Sequence, residues 1–249
     1  MLDHPLVPGE TSAIEKGPWH YGADYVAVYF RGKKDALQGL VPRPFEVEED
    51  PVCIAYVCEI VSVADAARQM VAERPDRTLY NEAAIGVKCR FKDKAGVFYP
   101  VMWVTTEWSL LRGLLNGYQK RLADRISMTK LHPLNPGLGP VSPGMELGGF
   151  CVKGTGTVLS LRVKLQKQGS TSDLVSFGPT YGMRKFPRTD SSQGLVDEPV
   201  EILKSNSKVT DVWTGSGSLK TEIDVGEIRP MSGALYKSGF TISGSRRVN

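Results

Sequence analysis

Three ionisable residues stand beside apolar stretches of this 249-residue chain, and their types could act together. Arg31 directly follows Tyr25-Val-Ala-Val-Tyr-Phe30, Glu82 follows Leu79-Tyr80-Asn81, and Lys120 lies in Tyr118-Gln-Lys-Arg-Leu122. An amine kept from water can attack a carbonyl. A carboxylate can carry protons, and a guanidinium can grip a carboxylate with its forked donors. Each residue also has a plainer account. Arg31 could mark the solvent end of a strand, Glu82 an edge charge, and Lys120-Arg121 a solvated face.

Other chemistries find less to work with. The three histidines, His4, His20 and His132, are far apart, each beside proline or aromatic residues, and no HxH or HExxH spacing offers a metal site. Cys53, Cys58, Cys89 and Cys151 form no CxxC pair and sit in apolar runs, where free thiols behave as small core residues. Gly215-Ser-Gly217 lacks the Lys-Ser/Thr end of a phosphate loop, and no GxSxG elbow exists. Net charge is +4, with 31 basic residues scattered among 27 acidic ones. A nucleic-acid surface would concentrate them in a stripe. The N-terminal stretch lacks the basic and apolar regions of a secretory signal, and no apolar run approaches the ~18 residues of a membrane span. A cytoplasmic protein with reduced thiols is the expectation, with neither nucleic acid nor membrane as partner.

The elements that must carry the three residues can be read from patterning. Residues 25–30 are a strand by their β-branched and aromatic content. Residues 33–41 read as a short helix that stops before Pro42 and Pro44. Residues 52–63 read as a buried strand, and 64–73 as a helical turn or loop. Residues 82–91 and 97–106 read as a strand pair joined by the turn 92–96. Trp108, Leu111, Leu115, Tyr118 and Leu122 form one apolar stripe at helical spacing. Gly117 is a plausible stop for that helix, just before Lys120. Residues 131–149 read as a Pro- and Gly-rich loop. Further strands are expected at 154–166, 200–212, 219–225 and 234–243, while 177–187 stays unassigned. Residues 1–20 read as an irregular arm. Strands outnumber helices and follow one another closely, which argues for mainly antiparallel sheet. With no repeat and no composition break, one domain spanning 1–249 is expected.

At these positions the chain resembles the acetoacetate decarboxylase family. Tyr29-Phe30-Arg31, then Asp35-Ala-Leu37 and Leu40-Val-Pro42-Arg-Pro44, is similar to that family's strand–Arg–helix opening. Tyr80-Asn-Glu82 resembles its Tyr-x-Glu segment, and Tyr118-Gln119-Lys120-Arg121-Leu122 its lysine-bearing segment. Tyr181-Gly-Met-Arg184-Lys-Phe186-Pro187 and Trp213-Thr-Gly215-Ser-Gly-Ser-Leu219 match two later segments, in order. The departures are Gln119 for a proline, Arg121 for a second lysine, and Arg112-Gly113-Leu114-Leu115 where the family has Gly-Arg-Glu.

The resemblance implies an α+β fold with strongly curved, mainly antiparallel sheets forming a cone or barrel around the site, and assembly as a homo-oligomer. It implies a Schiff base between Lys120 and a small keto-acid substrate, decarboxylation of a β-keto acid, and no metal or organic cofactor. A lysine must shed its proton to attack, and a free one titrates near ~10.4. Apolar walls from Leu114, Leu115 and Tyr118 and the cation Arg121 would lower that. Acetoacetate decarboxylase is the familiar case of a lysine activated in this way, so that activation belongs to what the resemblance implies. Arg31 would hold the substrate carboxylate, Glu82 would carry protons, and Glu59 is a possible second carboxylate. The changed Gly-Arg-Glu segment points to a different substrate. Aldol condensation, dehydration or hydration of another keto acid, or a non-catalytic binding role, are the alternatives.

Overall fold

A computed structural model describes residues 6–7, 12–187 and 194–249. Its strands are β1 (Trp19–Arg31), β2 (Glu46–Val47), β3 (Val52–Ala64), β4 (Leu79–Phe91), β5 (Lys94–Val104) and β6 (Lys120–Leu122). There follow β7 (Arg125–Met128), β8 (Glu146–Lys153), β9 (Gly156–Gln168), β10 (Thr180–Pro187), β11 (Leu195–Thr221) and β12 (Arg229–Arg247). The α-helices are α1 (Lys34–Leu40), α2 (Met70–Glu73) and α3 (Glu107–Asn116). All strands belong to one sheet, ordered β10-β5-β4-β3-β1-β12-β11-β9-β8-β7, with β2 on β4 and β6 on β5. A pairing of β10 with β11 closes the first seven strands of that order into a ring. Pairing is antiparallel except for β10 on β5 and β6 on β5.

Side-chain alternation explains why the ring strands read as near-continuous apolar runs. On β1, Val26, Val28 and Phe30 face one core while Tyr25, Ala27 and Tyr29 face another. On β3, Cys53, Ala55 and Val57 take the first face, and Ile54, Tyr56, Cys58 and Ile60 the second. The first core packs the ring's outside against Leu37, Val41, Phe45 and Val47 and against the β7–β9 flap, which supplies Ile126, Leu147, Cys151, Leu159, Leu161 and Val163. The second face looks into the ring. All four cysteines are free and buried. Among the described residues no helix is long and apolar enough to cross a membrane.

The expected elements from 25 to 106 are present, most of them longer than patterning indicates. The later part of the chain departs from patterning at several places. Residues 146–149 belong to β8, not to a loop, and 125–128 form an unanticipated strand. The two strands expected at 200–212 and 219–225 are one 27-residue strand that ends at Thr221. Gly215-Ser-Gly217 runs inside it instead of turning the chain. The helix before Lys120 ends where foreseen, on Gly117 in the left-handed region (φ 101°), but its apolar stripe is not its buried face. Trp108, Ser109, Arg112, Gly113 and Asn116 are buried, and Leu110, Leu111, Leu114 and Leu115 are only half-buried.

Candidate active site

The ring encloses a cavity of about 460 Å³. Eight of the chain's nine tyrosines line it, at positions 21, 25, 29, 56, 80, 99, 118 and 236. Strand alternation places them there: the inward positions of β1, β3, β4, β5 and β12 carry phenols where the outward positions carry aliphatic residues. Burial, reinforced by the charge on Glu82, pushes the hydroxyls of Tyr56 and Tyr80 well above the usual phenol range. For Tyr29, burial pushes the value to about 12. The walls therefore keep their protons and act as hydrogen-bond donors at physiological pH.

Lys120 and Glu82 meet in this cavity. The Lys120 Nζ is 2.9 Å from Glu82 Oε2, and the two side chains are 7% and 6% exposed. Tyr56 donates to the other oxygen, Oε1, at 2.7 Å, and Lys120 donates to Ser109 Oγ at 3.0 Å. The amine lies 5.2 Å from the Tyr80 ring centre and 5.9 Å from that of Tyr118. Among the described residues, Glu82 is the only acid on the cavity wall.

Local structure fixes the lysine from three directions. β6 runs parallel to β5, with Lys120 opposite Met102. Gln119, in the place of the family's proline, donates to the carbonyls of Gly117 (3.1 Å) and Met183 (2.8 Å) and so ties the segment to β10. Gly113 faces the lysine stem. A Cβ there would sit 2.2 Å from Lys120 Cδ, so only glycine leaves a channel for the side chain to reach the cavity.

Arg112 is a cavity residue as well, one helical turn from Ser109 on α3. It donates to Ser62 Oγ and to Glu15 Oε2, both at 2.7 Å. Its guanidinium lies 4.9 Å from the Trp108 ring centre and 5.4 Å from that of Trp19. Its Nε is buried without a partner. Glu15, from the irregular lead-in, is shared with Arg77 at 2.7 Å. Burial would raise the Glu15 carboxyl, but the hydrogen bond from Arg77 and the charges of Arg112 and Arg77 outweigh it and hold it below 4.5. Lys204, on β11, completes the cations of the wall.

The structure thus brings Glu82 and Lys120 together and leaves the other expected residues outside. Arg31 is at the end of β1, beyond Tyr29, where Asp50 takes its guanidinium through both a carboxylate oxygen (2.6 Å) and its backbone carbonyl (2.7 Å). It does not line the cavity and cannot be the carboxylate clamp there. Glu59 occupies the outward face of β3, opposite to Tyr56, Cys58 and Ile60, and pairs with Lys130. Arg121 follows Lys120 on the same strand, so it points to the other side and is exposed. Leu114 and Leu115 are likewise not cavity walls. Arg112 was legible only as part of an altered segment. Lys204, Ser109 and Tyr56 carried no motif, although tyrosines at alternate strand positions were a usable sign of a shared face.

A closed ring of strands holding a buried lysine–carboxylate pair in a tyrosine-lined cavity defines an enclosed site of small-molecule size. The acetoacetate decarboxylase family model matches residues 3–245, and the chain belongs to that family. A search of curated proteins finds no match. Among solved structures, an acetoacetate decarboxylase-like enzyme from Sphingomonas wittichii RW1 is 31% identical, with 98% of this chain and 97% of that one covered at a TM-score of 0.90. The enduracididine biosynthesis enzyme MppR, complexed with pyruvate, is 20% identical over 97% of this chain and 94% of its own, with a TM-score of 0.85. Acetoacetate decarboxylase from Legionella pneumophila is 17% identical over 98% and 92%, with a TM-score of 0.75.

Proposed function

We propose that the protein is a lyase that forms a Schiff base between Lys120 and a keto acid, with decarboxylation of a β-keto acid as its reaction. The observation that carries this reading is the Lys120–Glu82 pair, 2.9 Å apart and shielded from solvent inside the ring. Glu82 takes a proton from the amine, and the freed nitrogen attacks the ketone carbon. Loss of water from the resulting carbinolamine needs a proton on the departing hydroxyl, and Glu82, coupled to Tyr56, is placed to return it. The protonated imine then receives the electron pair of the breaking C–CO2 bond. Protonation of the enamine carbon and hydrolysis release the ketone and restore the lysine.

The size of the cavity favours a second reading. A volume of 460 Å³ lies in the range that takes drug-sized ligands and far exceeds a four-carbon keto acid. With a larger keto acid, or with an aldehyde beside it, the same enamine would undergo aldol, dehydration or hydration chemistry. MppR has been solved with the condensation product of pyruvate and imidazole 4-carboxaldehyde, so this architecture has room for such a pair.

Borohydride trapping tests both. The wild-type protein, incubated with acetoacetate or pyruvate and then reduced, should gain mass on the peptide that contains Lys120, and Lys120→Ala should not. Arg121→Gln should react like the wild type. Carbon dioxide release then separates decarboxylation from carbon–carbon bond formation. Absence of an adduct with any keto acid would sink the enzymatic reading in favour of a binding protein. An adduct on Lys204 in place of Lys120 would reassign the nucleophile.

A further inference from the structure

Lys204 is the cavity cation with no counter-charge. Lys120 has Glu82 and Arg112 has Glu15, whereas among the described residues no carboxylate lies within ion-pair distance of Lys204. Its Nζ stands 5.0 Å from the centre of the Phe240 ring. Phe240 in turn stacks on Tyr21 at 5.0 Å and 18°, and the Tyr21 hydroxyl is a partner of Arg112. Two stacked rings therefore separate the Lys204 ammonium from the Arg112 guanidinium. The Lys204 side chain is exposed to solvent.

Charge counting sharpens the point. Glu15 is shared between Arg112 and Arg77, and Glu82 is held by Lys120 and Tyr56. Among the described residues, three cations, Arg112, Lys120 and Lys204, line the cavity against one carboxylate, Glu82, and Glu15 behind the wall is divided between Arg112 and Arg77, which leaves the lining with a surplus of positive charge. Converting Lys120 to a protonated imine does not change that surplus. The Phe240 ring gives the ammonium a cation–π contact, but among the described residues no anion balances its charge on a lining that carries excess positive charge.

We propose that Lys204 receives a second anionic group of the substrate, so that the cavity is built for a dianionic keto acid: one carboxylate near the reacting carbonyl and another at the remote end. This rests on the reading of Lys120 as the imine-forming residue, which fixes where the carbonyl lies. Arg112, on the helix that also carries Ser109, sits at the carbonyl end, and Lys204 lies at the other side of the Tyr21–Phe240 stack. The span between them accounts for a cavity larger than a four-carbon acid needs.

The test uses 2-oxoadipate and 2-oxohexanoate, which match in carbon number and differ in the terminal carboxylate. Calorimetry on the full-length Lys120→Ala protein at neutral pH removes the covalent step. The diacid should bind about tenfold or more tightly than the monoacid, the contribution of one charge-assisted contact. That preference should vanish when Lys204→Gln is added and return with Lys204→Arg. Equal binding of the two acids, no binding of the diacid, or a preference that survives Lys204→Gln would each overturn the proposal. Borohydride trapping on the wild type reads the imine separately. No adduct with either acid, alongside an intact calorimetric preference, would remove the Schiff-base reading and leave the anion site standing.

Discussion

A single carboxylate serves the whole cavity, and that concentrates the chemistry on a few atoms. Glu82 faces the amine with one oxygen and Tyr56 with the other, so a proton taken at Oε2 can be handed on without the side chain moving. Replacing Glu82 with Gln keeps its size and its contact with Tyr56 but removes its capacity to carry a proton. Turnover should fall by about 10²–10⁴-fold, the usual contribution of general acid–base catalysis, and steady-state kinetics would measure it. A fall of less than a few-fold would reduce Glu82 to a positioning partner of the lysine. At this scale the sequence was half legible. Lys120 and Glu82 could be named because family-like segments flank them. Arg31, Glu59 and Arg121 lie elsewhere: Arg31 shares the inward parity of Tyr29 but stands at the end of its strand, held by Asp50, while Glu59 and Arg121 fall on the outward parity, and neither strand length nor parity can be read from a motif.

Elements decide which of these atoms can meet. α3 presents Ser109, Arg112, Gly113 and Asn116 to the cavity and keeps its leucines on the outer half. The periodicity was visible, but the helix packs on a polar-lined hollow, so the face that counts is the one a hydrophobic stripe does not mark. Gly113 shows the same dependence. In the sequence it looked like a weakness of the helix, yet its missing Cβ is the passage for the Lys120 stem. Gly113→Ala should lower the melting temperature, because displacing the amine breaks its buried pair with Glu82, a loss that outweighs the about 1 kcal/mol by which alanine is the better helix former. The blocking atoms are methylenes of a flexible lysine, so the fold survives while the amine is displaced. Borohydride trapping should fall at least about tenfold, as a small misplacement of a reacting group is costly. Unchanged trapping in the variant would show that the lysine has another route. The strands of the β7–β9 flap were the least legible elements, because glycine- and proline-rich flanks masked β8 and the short β7 has little pattern of its own.

The whole molecule is held together across the site as well as around it. Glu15 reaches from the lead-in to Arg112 on α3 and Arg77 near the start of β4, with its side chain 8% exposed. Its carboxyl is held below the ordinary 4.5, so its ion pairs stabilise the fold above that value, and the contribution is lost as pH falls through the lower folded value. Glu15→Gln should cost about 3–5 kcal/mol at neutral pH, as breaking a buried pair does. Urea unfolding of wild type and variant should converge in acid. A constant gap at all pH values would mean that packing, not charge, accounts for the loss. Nothing in the sequence singled out Glu15, since an irregular segment has no period from which burial can be inferred. The mainly antiparallel, curved sheet was anticipated through the family resemblance. The seven-strand closure follows from pairings far apart in the chain that no local pattern records.

That closure is uneven. β10 meets β5 only at Thr180–Val97 and Tyr181–Phe98, while every other joint of the ring is several times longer. The peptide leading into this clasp, with Phe177, Gly178 and Thr180, also borders the cavity. Amine and carboxylate hang from β4, β5 and β6, whose mutual bonds do not involve it. Insertions or deletions in the peptide leading into the clasp would therefore resize the bore, provided that Met183 on β10 keeps its hold on Gln119 beside the lysine. A scaffold fastened in this way can be refitted to new guests while its chemistry is inherited intact.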